Sequence, residues 1–336
     1  MKKRVLVIGS TGAMGRHLVP ELVNLGYEVT GVSLDVQKKP VPGVTYYTGD
    51  CFDKAFLASL LEQKFDGIVN FMDYDPKRPF QDYYKSFLDN TDHYIYLSSC
   101  RVYADEEVPV RETSPRLLEA SRDTKFLASS NYSLRKARDE DLLWSTDYNN
   151  FTIVRPATTF AEMRYQLVTL EAKNTVGRAR RGKKVVLPIQ AKDTPATLCW
   201  GGDVAKMIAR LMFKPETMRE AYNVCSSESR TWGEIAEYYN KLCGLEAVWV
   251  DKEDYLEIIN LVPGTIGGRW QLEYARLFRR ITDNSKMLAV TGLKQSDFMP
   301  LYDALKMMID AVPEGYEFPE TEVGARMDAY LEEHGL

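Results

Sequence analysis

An apolar run near the N-terminus passes straight into three evenly spaced glycines, and residues 5–15 read VLVIGSTGAMG. The apolar run predicts a buried strand and the residues after the glycines predict a helix, so the glycines occupy a strand-to-helix turn. Such a turn brings backbone amides close to a pyrophosphate, and the helix N-terminus adds free N–H groups and a favourable dipole. The segment therefore predicts a dinucleotide site formed by Gly9, Thr11, Gly12, Ala13, Met14 and Gly15.

Strand-like and helix-like segments alternate over the first 160 residues. Short apolar runs predict strands over 4–8, 28–32, 44–47, 67–71, 94–98 and 151–154, with helices over 14–25, 56–63 and 132–144 between them. This alternation indicates βαβ units and a parallel sheet that is covered on both faces. We predict an α/β fold with a doubly wound parallel sheet of the Rossmann type.

The pattern after residue 160 is less regular. It predicts strands over 185–189 and 221–224, helices over 202–212, 231–242, 251–261 and 301–311, and a flexible loop over 264–268. We expect a dinucleotide-binding domain over 1–160, continued by about 196–226. A smaller α/β substrate-binding lobe would consist of insertions over 161–195 and 227–315, followed by a C-terminal extension over 316–336.

Composition and charge exclude several classes of protein. A formal net charge of -5 gives no cationic footprint for nucleic acid or an anionic membrane. No apolar run reaches the roughly 18 residues of a membrane helix, and the N-terminus does not read as a signal peptide. The five cysteines form no CxxC pair and the three histidines are scattered. We therefore expect no disulfide framework, no metal and a cytoplasmic location.

A tyrosine and a lysine lie four residues apart in the helix predicted over 132–144. Tyr132 and Lys136 would share one helix face, where the ammonium favours the phenolate and lowers the tyrosine pKa. A tyrosine tuned in this way can act as an acid or base nearer neutral pH. Ser98 and Ser99 end a predicted strand, and open α/β sheets bind ligands outside the carboxyl ends of their strands.

These motifs together resemble the extended short-chain dehydrogenase/reductases of the NAD-dependent epimerase/dehydratase family, which act largely on nucleotide sugars. Further matches are Gly49-Asp50 after the third strand, the SSxxVY pattern over 98–103, and Arg155-Pro156 after the sixth strand. The resemblance covers roughly residues 4–310. It implies a dinucleotide-binding enzyme in which the nicotinamide performs the hydride chemistry.

The resemblance also implies individual roles. Tyr132 is then the general acid/base at a substrate hydroxyl, and Ser99 hydrogen-bonds the reacting oxygen. Lys136 lowers the pKa of Tyr132 and holds the nicotinamide ribose, so Tyr132 and Lys136 both count as cofactor contacts. Asp50, together with the backbone of Cys51, contacts the adenine.

The end of the second strand bears on the choice between NAD and NADP. An acidic side chain there would bond the ribose 2′-hydroxyl of NAD. Ser33 fills that slot and Asp35 follows two residues later. Lys38 and Lys39 could meet a 2′-phosphate or could simply be solvated. We expect NAD because of Asp35 and leave NADP open.

The chain departs from the family pattern at two places near the site. Cys100 and Arg101 stand where dehydratases of the family carry an acidic pair, which disfavours a dehydratase. The segment after the fourth strand is short, so the helix that often helps to form the family's dimer is shortened and a homodimer is left open. Asp73 in this segment would either face the cofactor or substrate, or cap the chain before Pro76.

Basic and aromatic residues of the second half complete the candidate substrate site. Arginines can clamp a nucleotide diphosphate bidentately, and an aromatic ring can stack on the base. Trp200 would line the sugar pocket or seal the domain junction. We expect substrate contacts from Ser98, Ser99, Cys100, Arg101, Asp73, Arg178, Trp200 and Arg269.

The leading hypothesis is an epimerase-type enzyme that acts on a nucleotide sugar by transient hydride transfer with NAD(P) and acid/base catalysis by Tyr132. An NADPH-dependent ketoreductase would use the same three catalytic residues. The alternative from another class is a non-catalytic nucleotide- or RNA-binding relative, because the plastid RNA-binding branch of this superfamily has a similarly shortened helix. The intact catalytic residues and the net charge of -5 argue against that alternative.

Overall fold

The computed structural model describes residues 2–259 and 267–336. The strands of these residues are β1 (Arg4–Ile8), β2 (Glu28–Ser33), β3 (Thr45–Thr48), β4 (Gly67–Asn70), β5 (His93–Leu97), β6 (Phe151–Pro156), β7 (Thr158–Phe160), β8 (Val185–Pro188), β9 (Pro195–Ala196), β10 (Leu198–Trp200), β11 (Glu220–Val224), β12 (Arg230–Thr231) and β13 (Ala247–Val250).

The α-helices of the same residues alternate with the strands in the first half of the chain and dominate the second half. They are α1 (Gly15–Asn24), α2 (Lys54–Leu61), α3 (Tyr84–Leu88), α4 (Leu117–Ala120), α5 (Thr124–Leu127), α6 (Tyr132–Trp144), α7 (Val176–Arg180), α8 (Gly201–Leu211), α9 (Trp232–Cys243), α10 (Lys252–Ile259), α11 (Gly267–Gln271), α12 (Ser285–Thr291), α13 (Leu301–Asp310) and α14 (Glu322–Glu333).

The main sheet has seven strands in the order β11-β6-β5-β4-β1-β2-β3, and all of its pairings are parallel. The winding direction reverses between β1 and β4, where Ile8 lies opposite Asn70. The doubly wound parallel sheet predicted from the sequence is confirmed. A reversal of this kind opens a crevice at the carboxyl ends of the strands, which is where such sheets bind ligands.

The predicted elements occur in the structure, and the ends that the structure describes lie within two residues of the prediction. The helix predicted over 132–144 coincides with α6. The loop predicted over 264–268 lies outside the described residues up to 266, and the last residues of the helix predicted over 251–261 also lie outside them. Residues 267 and 268 begin α11.

The two faces of the sheet are buried in separate apolar clusters, because successive side chains of a strand point to opposite faces. Val5 and Val7 pack with α1 and α8 on one face, whereas Leu6 and Ile8 pack with α2 and α3 on the other. A Cβ atom on Gly201 would lie 2.4 Å from the carbonyl oxygen of Ala13. The start of α8 therefore presses directly against the glycine turn.

A third apolar cluster fills the lobe formed mainly by residues after 160. It centres on β8, β13, α9, α10 and α13. Phe318, Met327 and Leu331 also belong to it, so the segment 316–336 packs into the core of this lobe. The predicted domain boundaries themselves stay a prediction.

The connection between β4 and β5 is short, as predicted. It holds only a 3-10 turn, Phe80–Asp82, and the five-residue helix α3. Among the described helices, none is both long and apolar enough to cross a membrane.

Candidate active site

A cleft of about 410 Å³ opens at the carboxyl ends of β1, β4, β5 and β6. The glycine turn, Ser99, Tyr132 and Lys136 all line it. The structure thus brings the predicted cofactor turn and the predicted catalytic residues to one site. The opposite wall comes from residues 156–171 and from the segment around Arg276.

The glycine turn leaves an open cradle at the N-terminus of α1. Gly9 has φ +85° and its N–H donates to the Val32 carbonyl at 2.8 Å. A Cβ atom on Gly15 would lie 2.1 Å from the Gly9 carbonyl oxygen, so that position requires glycine. A Cβ atom on Gly12 would lie 3.2 Å from the Gly9 carbonyl oxygen. No other atom of the described residues outside its chain neighbours would lie within 4 Å of it. No side chain caps α1, which leaves its first N–H groups for a phosphate.

Ser33 supports this turn rather than facing a ligand. Its hydroxyl accepts a hydrogen bond from the backbone N–H of Thr11 at 3.0 Å and lies 3.2 Å from the Ser10 hydroxyl. Ser33 is buried. Its expected contact with a ribose is therefore corrected: the side chain holds the turn, because both of its neighbours belong to the turn.

Asp35 lines a second cleft, of about 630 Å³, together with Thr11, Arg16, Lys38 and Lys39. Glu162 also lines this cleft and pairs with Arg16. Two carboxylates and three cations therefore surround the space, and the choice between NAD and NADP stays open on the charges of this cleft alone.

Asp50 and Cys51 line neither of the two clefts described above. The Asp50 carboxylate accepts a hydrogen bond from the Phe52 N–H at 2.9 Å. Burial raises the pKa of the Cys51 thiol to about 12. Their contact with adenine stays a prediction.

The helix α6 is held in place by a buried carboxylate. Glu140 accepts two hydrogen bonds from the guanidinium of Arg155, at 2.8 and 2.7 Å, and another from the Ser98 hydroxyl. Arg116 adds a bond at 3.1 Å. Burial raises the pKa of Glu140, but Arg155, Ser98 and Arg116 outweigh it and leave the pKa below its ordinary value. This network joins α6 to β5 and β6, and so positions Tyr132 two turns earlier in the same helix.

The predicted catalytic residues converge. The Ser99 hydroxyl lies close enough to the Tyr132 hydroxyl to lower its pKa. Lys136 is buried, its ammonium donates to the Leu97 carbonyl at 2.9 Å, and it lies 5.8 Å from the centre of the Tyr132 ring. The Asp73 carboxylate lies 3.9 Å from this ammonium. Asp73 therefore faces the catalytic residues across the cleft.

The pKa of Tyr132 is raised, to about 12. Burial is the main cause and Asp73 adds to it, whereas Arg101 and the Ser99 hydroxyl act in the opposite direction. Burial also lowers the pKa of Lys136. The prediction of a tyrosine pKa below 10 is therefore wrong for this structure, because the desolvation of the phenolate outweighs the nearby cations.

The residues on either side of Ser99 have different roles. Cys100 is buried and burial raises the pKa of its thiol, so it is not a ready proton donor or nucleophile. Arg101 lines the cleft with its guanidinium 5.0 Å from the centre of the Tyr132 ring. Ser98 lines the cleft too, although its hydroxyl donates to Glu140.

Three predicted substrate residues lie away from the cleft. Arg178 is buried and donates to the carbonyls of Lys184 and Gly324 and to the carboxylate of Asp328. Its charge thus anchors α14, and the expectation that it binds substrate is corrected.

The expectation that Arg269 and Trp200 contact the substrate is corrected as well. Arg269 is paired with the carboxylates of Glu253 and Glu273. Trp200 packs edge-on against His17, with ring centres 5.1 Å apart, and its ring covers Gly202. Trp200 also packs against the apolar cluster of the second lobe. It therefore lies between that lobe and α1, as in the second of the two roles considered for it.

Three lobe residues outside the expected substrate contacts also line the cleft, Arg164, Gln166 and Arg276. Sequence reasoning had counted Arg164 among the basic residues able to clamp a diphosphate, but it missed Gln166 and Arg276. Arg276 donates to the Thr158 hydroxyl at 2.8 Å and to the Gln166 side-chain oxygen at 3.0 Å. The cluster of arginines over 276–280 was visible in the sequence. Nothing in its spacing showed which of them would turn into the cleft.

The fold is shared with solved structures of other proteins, two of them epimerases. A UDP-glucose 4-epimerase from Thermus thermophilus, solved with NAD, is 18% identical with a TM-score of 0.66, over 93% of this chain and 100% of that one. A UDP-glucose 4-epimerase from Thermotoga maritima, solved with UDP-glucose, is 16% identical with a TM-score of 0.64, over 91% and 97%. WbmH from Bordetella bronchiseptica, solved with NAD+, is 18% identical with a TM-score of 0.61, over 99% and 100%.

A comparison with curated protein sequences found no match. The model of the NAD dependent epimerase/dehydratase family, in contrast, matches residues 5–225. That span contains the glycine turn, Ser99, Tyr132 and Lys136, and it covers more than half of the chain. The chain therefore belongs to the NAD dependent epimerase/dehydratase family.

Proposed function

We propose that the protein is an epimerase-type enzyme that acts on a nucleotide sugar by transient hydride transfer with NAD. The observation that carries the proposal is the single cleft lined by the glycine turn, Ser99, Tyr132 and Lys136. The family match supports a dinucleotide enzyme. The Thermotoga structure with UDP-glucose and the Thermus structure with NAD support the two ligand classes by analogy.

The residues present fit a dinucleotide. The N–H groups of the turn and of the first turn of α1 would hold the pyrophosphate, since the Cβ position of Gly12 would meet only the Gly9 carbonyl oxygen. Lys136 would hold the nicotinamide ribose. When bound, NAD supplies a hydride acceptor that can return the hydride to the same carbon. Asp35 favours NAD over NADP through a ribose hydroxyl.

Tyr132 is the proton-transfer group in this proposal. With a pKa of about 12, its phenol is protonated at neutral pH and can donate to a keto oxygen. To accept a hydroxyl proton it must first ionise, and Arg101 and the Ser99 hydroxyl both favour ionisation. Ser99 would hold the reacting oxygen. The keto sugar then rotates in the cleft so that its carbonyl carbon takes the hydride back on the other face, and Tyr132 returns the proton to the keto oxygen.

The residues beside Ser99 favour epimerisation over dehydration. Loss of water needs an acid near the leaving hydroxyl. Cys100 is buried with a raised thiol pKa, and Arg101 is a cation. Neither residue supplies the carboxylic acid that a dehydratase of the family would place there.

The proposal is tested with the purified full-length protein. Native mass spectrometry should show a retained dinucleotide, and incubation with a panel of nucleotide sugars should yield an epimer of unchanged mass, resolved by ion-exchange chromatography. A protein that binds no dinucleotide and no nucleotide sugar would contradict the proposal.

A second candidate is an NADPH-dependent ketoreductase. The observation in its favour is the position of Lys38 and Lys39 around the cleft that Asp35 also lines, since cations there suit a 2′-phosphate. A reductase exchanges its cofactor at each turnover. Net consumption of NADPH with a keto substrate, and no retained NAD, would select this candidate.

A further inference from the structure

Three arginines surround a small cavity beside the catalytic residues. Arg101, Arg276 and Arg280 line it together with Cys100, Thr158, Ala196, Trp232, Ala275 and Phe278. No aspartate or glutamate is among these lining residues. We name Arg101, Arg276 and Arg280 the arginine pocket. Arg101, Arg276, Cys100 and Thr158 also line the main cleft, so the pocket is an extension of it.

Arg101 is the arginine of this pocket whose guanidinium has no hydrogen-bonding partner in the described protein. It makes no hydrogen bond or ion pair within 4 Å with any described residue, and its Nε is buried without a partner. Elsewhere in the described chain, Arg155 and Arg178 bond to carboxylates when they are buried. A buried polar group without a partner is costly, and a charged one more so. A ligand group is the natural partner.

Arg276 and Arg280 are held by neutral groups. Arg276 bonds to a threonine hydroxyl and a glutamine amide, and its Nε is also buried without a partner. Arg280 bonds to the carbonyls of Ala104 and Tyr103 at 3.0 and 2.7 Å. Burial and the neighbouring Arg101 lower the pKa of Arg276 to about 10. The pocket therefore carries an excess of positive charge that its own residues do not neutralise.

The carboxylates near the arginine pocket are paired with other cations. Asp73, with 59% of its side chain exposed, pairs with Arg135 and Lys136 at 3.9 Å. Glu171 lies 3.7 Å from Arg164 at the outer part of the cleft. Neither carboxylate bonds to Arg101 or Arg276.

We propose that the arginine pocket receives a carboxylate carried by the sugar ring of the substrate, so that the natural substrate is a nucleotide-linked glycuronate. This inference rests on the proposed function, because it assumes that the sugar reacts at Tyr132. Arg101 lies 5.0 Å from the Tyr132 ring, so the anionic group must be on the same ring as the reacting hydroxyl. A hexuronate meets this requirement, since its carboxylate is attached next to the carbon that bears the 4-hydroxyl.

The pocket has room for one oxygen of an anionic group. Its volume is about 10 Å³, which is close to the space of one water-sized group. One carboxylate oxygen can enter while the other stays on the cleft side. A planar carboxylate also matches the paired N–H groups of a guanidinium.

The test compares pairs of nucleotide sugars that differ only at carbon 6, as a hydroxymethyl or a carboxylate. UDP-glucose and UDP-glucuronate form one pair, and GDP-mannose and GDP-mannuronate form another. Binding to the full-length protein is measured by calorimetry in the presence of NAD. We expect the uronate of the accepted pair to bind about tenfold to a hundredfold more tightly, as for a charge-assisted hydrogen bond.

Variants assign this preference to Arg101. Arg101→Met keeps an aliphatic stem and should bring the two sugars of a pair to within about threefold of each other. Arg101→Lys should keep part of the preference. Arg164→Met is the matched control, because it removes a positive charge from the same cleft outside the pocket and should leave the preference unchanged. The thermal midpoint of each variant checks that it is folded.

The outcomes separate the two proposals. A wild-type protein that binds both sugars of a pair equally, or an Arg101→Met variant that keeps the full preference, would overturn the inference and leave the proposed function standing. If none of the four nucleotide sugars binds while NAD does, the assignment to nucleotide sugars fails and the inference fails with it.

Discussion

Tyr132 lies among charges of both signs, and these charges decide what its hydroxyl can do. Asp73 raises its pKa and Arg101 lowers it, while burial disfavours the phenolate. Lys136, the expected tuning group, bonds to a backbone carbonyl and is itself destabilised as a cation by burial. A bound anion next to Arg101 would remove one of the influences that favour ionisation. The acid/base behaviour of the site therefore depends on the whole set of charges.

The hydroxyl of Tyr132 is the first point to test. Tyr132→Phe keeps the ring and removes the only oxygen that can carry the proton, so turnover should fall by about a hundredfold to ten-thousandfold. Dinucleotide binding should persist, because the glycine turn and Lys136 remain. Steady-state kinetics and calorimetry measure the two effects. Tyr316→Phe, on the exposed C-terminal segment, is the control, and near-normal turnover in Tyr132→Phe would refute the mechanism.

Asp73 should set the pH dependence of the site. Since Asp73 raises the pKa of Tyr132, Asp73→Asn should lower that pKa from about 12 and move the alkaline rise of kcat/KM to lower pH. Arg101→Met should move it the opposite way, because Arg101 lowers the pKa. The pH profiles of the three proteins provide the measurement. Identical profiles would show that Asp73 does not act on Tyr132.

Asp35 should determine the preference between the two dinucleotides. Its carboxylate would bond a ribose hydroxyl and repel a 2′-phosphate, so Asp35→Ala should narrow the preference for NAD by about fivefold to tenfold. Fluorescence titrations with NADH and NADPH measure the ratio. Asp92→Ala, which removes an exposed carboxylate that pairs with Lys3, is the control. An unchanged ratio in Asp35→Ala would assign the choice to Lys38, Lys39 or Arg16.

At the scale of elements, the glycine turn works as one unit with β1, α1 and α8. Gly15 lets the first turn of α1 lie against Gly9, and Gly201 lets α8 lie against Ala13. Gly12 differs from both, because its Cβ position would meet only the Gly9 carbonyl oxygen, at 3.2 Å. The sequence motif therefore combines positions needed for packing with a position needed for the ligand.

Two substitutions separate these requirements. Gly12→Val should abolish dinucleotide binding with little loss of stability, because the new side chain meets only the Gly9 carbonyl oxygen and fills the space for the pyrophosphate. Gly15→Val should unfold at a clearly lower temperature, because its Cβ atom would lie 2.1 Å from that oxygen. Thermal unfolding and calorimetry distinguish the two. Normal NAD binding by a folded Gly12→Val protein would disprove the site.

At the scale of the whole molecule, the second lobe supplies one wall of the cleft and its own core includes the C-terminal segment. Arg178 joins α7 to α14 through two hydrogen bonds, to the Gly324 carbonyl and the Asp328 carboxylate, although its sequence position suggested a role in substrate binding. The lobe thus depends on a contact between residues 150 positions apart. Its arginines divide into those that hold the lobe together and those that face the cleft.

Loss of the Arg178 contact should weaken the lobe without changing the chemistry. Arg178→Met leaves buried carbonyl groups without a donor, so the free energy of unfolding should fall by about 2–4 kcal/mol. The KM for the substrate should not change. Lys183→Met is the matched control, since Lys183 pairs with the same Asp328 at the surface and such pairs contribute about 0–1 kcal/mol. A raised KM in a stable Arg178→Met protein would restore its role in substrate binding.

The sequence alone determined the sheet and the glycine turn, and it predicted that Ser99, Tyr132 and Lys136 would lie together, as they do in the cleft. These features depend on local rules: apolar periodicity defines a strand or a helix, glycine permits a tight turn, and a spacing of four places two side chains on one helix face. These local rules did not predict where Arg276 and Arg178 lie in the fold. Both are arginines of the second lobe, yet one enters the cleft and the other binds α14.

Only the tertiary structure decided which of these two arginines enters the cleft, because the position of a lobe residue depends on how segments distant in sequence pack together. The pKa of Tyr132 is a tertiary property for the same reason. Its main cause is burial, and its charged neighbours Asp73 and Arg101 lie in the segments that follow β4 and β5, which meet α6 at the carboxyl edge of the folded sheet. Desolvation and Coulomb interactions depend on distances in space, and the order of residues along the chain does not contain them.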